Sequence, residues 1–230
     1  MPEANVQLAG PEETPKPTPL FEVAVVVSLG TAVLALFLFA WIGRKMLEGD
    51  TQHFDLAVRA WVHRFASPGM TRTMTAFSLM GYNILIAELL VALAVFLVLR
   101  WRRAFVWMAI SMTGALALDL TLKYAFQRPR PPAFFGVAPH SYSFPSGHAL
   151  CSFCFYLVLA GLLSARIKSW VLRIAIWTLA IAMVTMIGLS RIYLGVHYPS
   201  DVIAGYLAAA VWVGAVIVLD HLRKVRRSLT

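Results

Sequence analysis

Predominantly apolar runs of transmembrane length recur along most of this chain, separated by short clusters of charge, proline and glycine. A helix needs roughly 20 apolar residues to cross a bilayer. On that measure the pattern predicts six spans, at 21–42, 71–99, 104–126, 146–164, 170–190 and 200–222. Gly81-Tyr82-Asn83 falls inside the second and marks a kink there. Between the first two spans, Phe54 to Phe65 places apolar residues at helical spacing among Arg59, His63 and Arg64. That reads as a short amphipathic helix on the membrane surface. The expectation is an all-α integral membrane bundle of six transmembrane helices, with this interfacial helix between the first and second. Residues 21–222 form one domain without internal repeats, preceded by a disordered cytoplasmic tail, 1–20, and followed by a basic cytoplasmic tail, 223–230. No cleavage pattern precedes the first run, which is therefore expected to stay as a membrane helix.

Composition agrees: 60% hydrophobic residues against 13% charged, with a mean hydropathy of +0.73, excludes an ordinary soluble domain. The net charge of +9 would suggest nucleic acid in a soluble protein, but here the cations sit at the ends of apolar runs. They read as topology determinants facing anionic lipid, and no nucleic-acid partner is expected. Arg100, Arg102, Arg103, Arg166, Lys168 and the C-terminal cluster share one face and mark it as cytoplasmic; Arg44, Lys45, Arg59 and Arg64 oppose that bias. Cys151 and Cys154 form a CxxC spacing inside an apolar helix with no further metal ligands nearby, and read as packing residues. Glu88 is an intramembrane carboxylate, by default functional or paired, whose partner the sequence does not reveal. Asp119 stands one turn before Lys123, where an i,i+4 pair is available.

Alternating spans bring four polar segment ends to one side of the membrane: Lys123, then Ser146 to His148, then Ser190-Arg191, then His197 with Asp201. This face is opposite the basic loops, hence extracytoplasmic. Taken singly these residues have ordinary readings. Lys123 and Arg191 would be snorkelling helix ends, His148 a lone interfacial histidine, and Asp201 a helix cap. Taken together they fit a phosphate. Arg130, stiffened between Pro129 and Pro131, can grip phosphate oxygens in bidentate fashion. In Pro145-Ser146-Gly147-His148, Ser146 can cap the following helix, Gly147 lets backbone approach a ligand, and the helix N-terminus favours an anion. Asp201, four residues after His197, can fix the imidazole tautomer and leave its other nitrogen nucleophilic.

These residues resemble the type 2 phosphatidic acid phosphatase family, which shares its active site with vanadium haloperoxidases. The likeness rests on a complete three-part signature: Lys123-x6-Arg130-Pro131, Pro145-Ser146-Gly147-His148, and Ser190-Arg191-x5-His197-x3-Asp201. The resemblance implies that His197 attacks phosphorus to form a phosphohistidine, with Asp201 holding its ring and His148 protonating the leaving oxygen. It implies further that Lys123, Arg130, Arg191, Ser146 and the Gly147 N–H neutralise the phosphoryl oxygens, with no metal and no cofactor.

The expected activity is hydrolysis of a lipid phosphate or diphosphate whose tail stays in the bilayer of a bacterial inner membrane. Small bacterial members of this family act on undecaprenyl pyrophosphate and phosphatidylglycerophosphate. A lipid A phosphatase or phosphotransferase of the same fold, and a non-hydrolytic lipid-phosphate binding or transport protein, are the alternatives. The signature binds only phosphate, so it selects no lipid and sets no oligomeric state.

Overall fold

The computed structural model describes residues 19–137 and 139–228. The expected N-terminal tail therefore falls almost wholly outside the described residues. Within them all regular structure is helical, with no strand: α1 Pro19–Leu47, α2 Gln52–His63, α3 Pro68–Met80, α4 Asn83–Val98, α5 Arg102–Phe126, α6 Gly147–Ser164, α7 Trp170–Tyr193 and α8 Pro199–Ser228. Five of these, counting Val26–Leu47 of α1 and Pro199–Arg223 of α8, are long and apolar enough to cross a membrane. The sixth span is α3 and α4 together, bent by 43° at the Gly81-Tyr82 break. The fold is thus the expected six-span bundle of a multi-pass membrane protein, with its kink where Gly81 stands. The basic C-terminal stretch continues α8 as helix to Ser228 rather than leaving it as a tail.

Large apolar side chains such as Phe37, Leu90, Val98 and Leu179 are exposed on the outside of the bundle, as lipid contact requires. The interior is filled by Phe96, Met108, Leu150, Cys154 and Phe155 from α4, α5 and α6. Cys151 and Cys154 are free, buried thiols within this packing. Helices approach closely where side chains are small: a Cβ on Gly205 of α8 would lie 2.6 Å from the Ser146 carbonyl, so only glycine lets α8 reach the start of α6. α6 carries a π-helical turn at Phe153–Leu157, and Tyr156 from it donates to Glu88 Oε2 at 2.7 Å. Glu88 therefore has the partner that the sequence did not reveal.

The expected interfacial helix is α2: Phe54, Leu56 and Trp61 are exposed, as an apolar side facing lipid requires, while Asp55, Arg59 and Val62 point into the protein. The two charges have hydrogen-bond partners inside. Arg59 Nη2 donates to the carbonyls of Pro132 and Gly195 at 2.8 and 3.1 Å, and its guanidinium lies over the Phe134 ring. Asp55 accepts from the backbone N–H and hydroxyl of Ser200 at 2.9 and 2.7 Å. These bonds offset part of the cost of burial; Arg59 Nε remains buried with no hydrogen-bond partner among the described residues.

Candidate active site

The C-terminal ends of α5 and α7 and the N-terminal ends of α6 and α8 meet at one face of the bundle, and the polar residues expected to cooperate come with them. α5 stops at Gln127, whose left-handed backbone (φ 46°) sends an N–H back to the Lys123 carbonyl at 2.9 Å. Pro129, Pro131 and Pro132 then keep the chain from resuming a helix. This segment delivers two arginines to the same histidine and aspartate pair.

Arg130 reaches His197. Its Nη1 lies 2.9 Å from His197 Nε2 and 2.9 Å from the Val196 carbonyl, while Nε and Nη2 donate to Ser141. A guanidinium only donates, so Nε2 must accept, and the imidazole proton is assigned to Nδ1. Nδ1 in turn faces Asp201 Oδ2 and Ser143 Oγ, each at 3.4 Å. His197 is almost fully buried, and that burial, reinforced by Arg130 and Arg191 and only partly offset by Asp201, pushes its pKa down to about 3. Burial also lowers the pKa of Arg130, opposed by the charges of Asp201 and Asp119.

Asp201 is fully buried and uses both oxygens. Oδ2 accepts from the Tyr198 N–H at 2.8 Å and from Ser143 Oγ, besides facing His197. The bond to Tyr198 is the reach-back of a capping box, so Asp201 caps α8 and holds the imidazole at once. Oδ1 takes Arg128 Nη1 at 2.6 Å. Arg128 also donates to Ser200 Oγ at 2.8 Å and, through Nη2, to Asp55 Oδ2 at 2.8 Å. Arg128 and Asp55 escaped sequence reasoning, as did Ser143; a second arginine two residues before Arg130 was the only local signal.

At the start of α6, Ser146 stands at the N-cap position, yet its hydroxyl does not cap the helix. The expected cap is instead a buried Oγ with no hydrogen-bond partner among the described residues. Its backbone N–H donates to the Asp201 carbonyl at 2.9 Å, tying α6 to α8. Gly147 does allow a close approach, and what approaches is Asp119: a Cβ at Gly147 would sit 2.7 Å from Asp119 Oδ1. Asp119 makes the available i,i+4 pair with Lys123, 2.7 Å from Nζ.

Arg191 is buried rather than snorkelling, with Nη1 bonded to Ser78 Oγ of α3 and Nε buried without a partner. His148 stacks on Tyr82 at the α3–α4 break, ring centroids 5.5 Å apart, and lies within electrostatic reach of Arg191, His197, Lys123 and Arg130. The structure thus brings all eight residues singled out from the sequence to the same end of the bundle. Two orphaned donors, Ser146 Oγ at the N-cap of α6 and Arg191 Nε, lie at the same end of the bundle as Lys123 and Arg130. Such an arrangement suits a tetrahedral oxyanion.

Comparison with known proteins gives the same direction. The sequence pattern of the PAP2 superfamily matches residues 104–224. The undecaprenyl-diphosphatase of Sulfolobus acidocaldarius is 34% identical over 122 residues, covering 50% of this chain but only 53% of that protein. Phosphatidylglycerophosphatase B of Bacillus subtilis is 27% identical over 177 residues, covering 75% of this chain and 87% of that protein. The crystal structure of a transmembrane PAP2-type phosphatidylglycerolphosphate phosphatase from Bacillus subtilis superposes with a TM-score of 0.75 at 23% identity, over 84% of this chain and 96% of that one. That likeness concerns the fold.

Proposed function

Since the chain belongs to the PAP2 superfamily, we propose that it is a metal-independent lipid phosphate phosphatase acting through a phosphohistidine on His197. The observation that carries this reading is the His197 geometry: Nε2 holds a lone pair 2.9 Å from Arg130, and Nδ1–H faces Asp201. A substrate phosphate takes over the Arg130 hydrogen bond and meets Ser146 Oγ, Arg191 Nε, Lys123 and the Gly147 N–H. The Nε2 lone pair forms a P–N bond as the P–O bond to the leaving group breaks, and His148 gives that oxygen its proton. Asp201 steadies the imidazolium. Water, losing a proton to His148, then attacks phosphorus, the P–N bond breaks, and inorganic phosphate and free His197 result. Among the described residues no three His, Cys, Asp or Glu side chains converge.

Undecaprenyl diphosphate and phosphatidylglycerophosphate are the proposed substrates, on the strength of what the relatives are named for. The site is assigned to the extracytoplasmic face of the plasma membrane, since Arg100, Arg102, Arg103, Arg166 and Lys168 lie at the opposite helix ends. The test is phosphate release from both lipids, and from phosphatidic acid, by purified protein and its His197→Ala variant. Wild-type release with none from the folded variant is expected; full turnover by the variant would remove His197 from the nucleophile role.

A further inference from the structure

At the far ends of α5 and α8, away from Lys123 and Asp201, a groove of about 490 Å³ opens between the two helices. Its α5 wall is Arg103, Val106, Trp107 and Ile110, at i, i+3, i+4 and i+7 on one helix face; its α8 wall includes Trp212, Val216 and Leu219. Arg102, Arg103 and Arg223 stand at its membrane-surface end against one carboxylate, Asp220, which is paired with Arg103. None of these residues belongs to the phosphatase signature.

The floor of the groove is fixed by packing. Trp212 Nε1 donates to the Ser111 carbonyl at 3.0 Å, and its indole occupies the space that Gly114 leaves empty, where a Cβ would lie 1.9 Å from the ring. Facing the bilayer, an apolar slot about 12 Å long at 1.5 Å per residue accepts an acyl chain. Guanidiniums in excess over carboxylates, at the level where head groups lie, complement a phosphodiester. We infer that this groove is a binding site for an anionic phospholipid of the leaflet opposite the active site, its head group on Arg102, Arg103 and Arg223 and one chain along Val106, Ile110 and Val216. The lipid bridges α5 and α8, whose other ends carry Lys123 and Asp201, and so stiffens the pair without touching the reacting atoms.

The experiment uses full-length protein in detergent or nanodiscs, with native mass spectrometry and thermal unfolding in phosphatidylglycerol or phosphatidylcholine. Phosphatidylglycerol is expected to stay bound as a stoichiometric adduct and to raise the unfolding midpoint; phosphatidylcholine is not. Arg102→Gln with Arg223→Gln, which leaves the Arg103–Asp220 pair in place, is expected to weaken retention roughly tenfold or more while phosphate release persists. Val106→Trp, which fills the slot and keeps every arginine, is expected to abolish the adduct. Orthovanadate in excess is expected to leave the adduct intact. Equal retention of phosphatidylcholine, an unchanged adduct in both variants, or displacement by orthovanadate, which would put the lipid in the phosphatase site, would each overturn the assignment. The readout is lipid retention, so it stands or falls separately from the proposed hydrolysis.

Discussion

Arg128 and Asp201 are joined by a 2.6 Å ion pair that uses the aspartate oxygen turned away from His197. Oδ1 is left to Arg128 while Oδ2 gathers the His197, Ser143 and Tyr198 contacts. Arg128 is also the link between Asp201 and Asp55, two fully buried carboxylates that would otherwise repel across the α2–α8 boundary. The proposed nucleophile is therefore oriented by a chain of charge that starts on α2, the helix whose polar face turns inward.

Arg128→Gln removes the only cation seen bridging Asp55 and Asp201 among the described residues, leaving uncompensated buried charge. The expected cost is roughly 3–5 kcal/mol of stability. Phosphate release is expected to fall about 10–100-fold, mainly in kcat. Adding Asp55→Asn is expected to restore much of the stability and less of the activity. Chemical denaturation with steady-state kinetics reads both; equal recovery of the two would mean that Arg128 has no positioning role.

Gly81→Ala tests the placement of His148. The new methyl would lie 2.5 Å from Ile187 Cγ2 and 2.9 Å from His148 Cδ2, so the imidazole must move off Tyr82. With His148 displaced, kcat is expected to drop at least about tenfold, and less so for a substrate with a better leaving group. An equal loss for both leaving groups would argue against His148 as the acid.

The depressed pKa of His197 sets the sign of a pH effect. Its folded value of about 3 lies below the ordinary 6.5, so between those values the unfolded chain takes up a proton that the native state refuses. This contribution to stability is fully present above 6.5 and shrinks as pH falls toward 3. The unfolding midpoint is expected to decline over that window, and His197→Gln to flatten the decline. The acid limb of kcat/KM above pH 4 is likewise not expected to report His197.

Activity is expected to survive EDTA, and vanadate, which takes up five-coordinate geometry, is expected to inhibit. Inhibition should weaken in Arg191→Lys, because Nε, the orphaned donor, has no counterpart in lysine. Loss of activity in EDTA with recovery on adding Mg²⁺ would refute the metal-free reading.

Much of this was written locally. Apolar run lengths fixed the spans, Gly81 marked the break, and the four-residue step from Asp119 to Lys123 announced an ion pair, because each depends on helical geometry within a few residues. The spacing of Lys123, Arg130, His148, Arg191, His197 and Asp201 gave the candidate site, since alternating spans bring those ends to one face. Ring contacts and networks across the fold were not legible. Arg128 meets Asp55 and Asp201 at a separation of 73 residues each, and Arg191 meets Ser78 at 113.

The inward charges of α2 have the same cause: amphipathic periodicity predicts the helix and its lipid-facing apolar side, but not that Asp55 and Arg59 find fixed partners inside. The sequence by itself determined which segments cross the membrane and which residues collect at one end of them. Only the tertiary structure decided which charge pairs with which, and that Ser146 leaves its hydroxyl uncommitted, because those outcomes depend on distances between helices that no local pattern encodes.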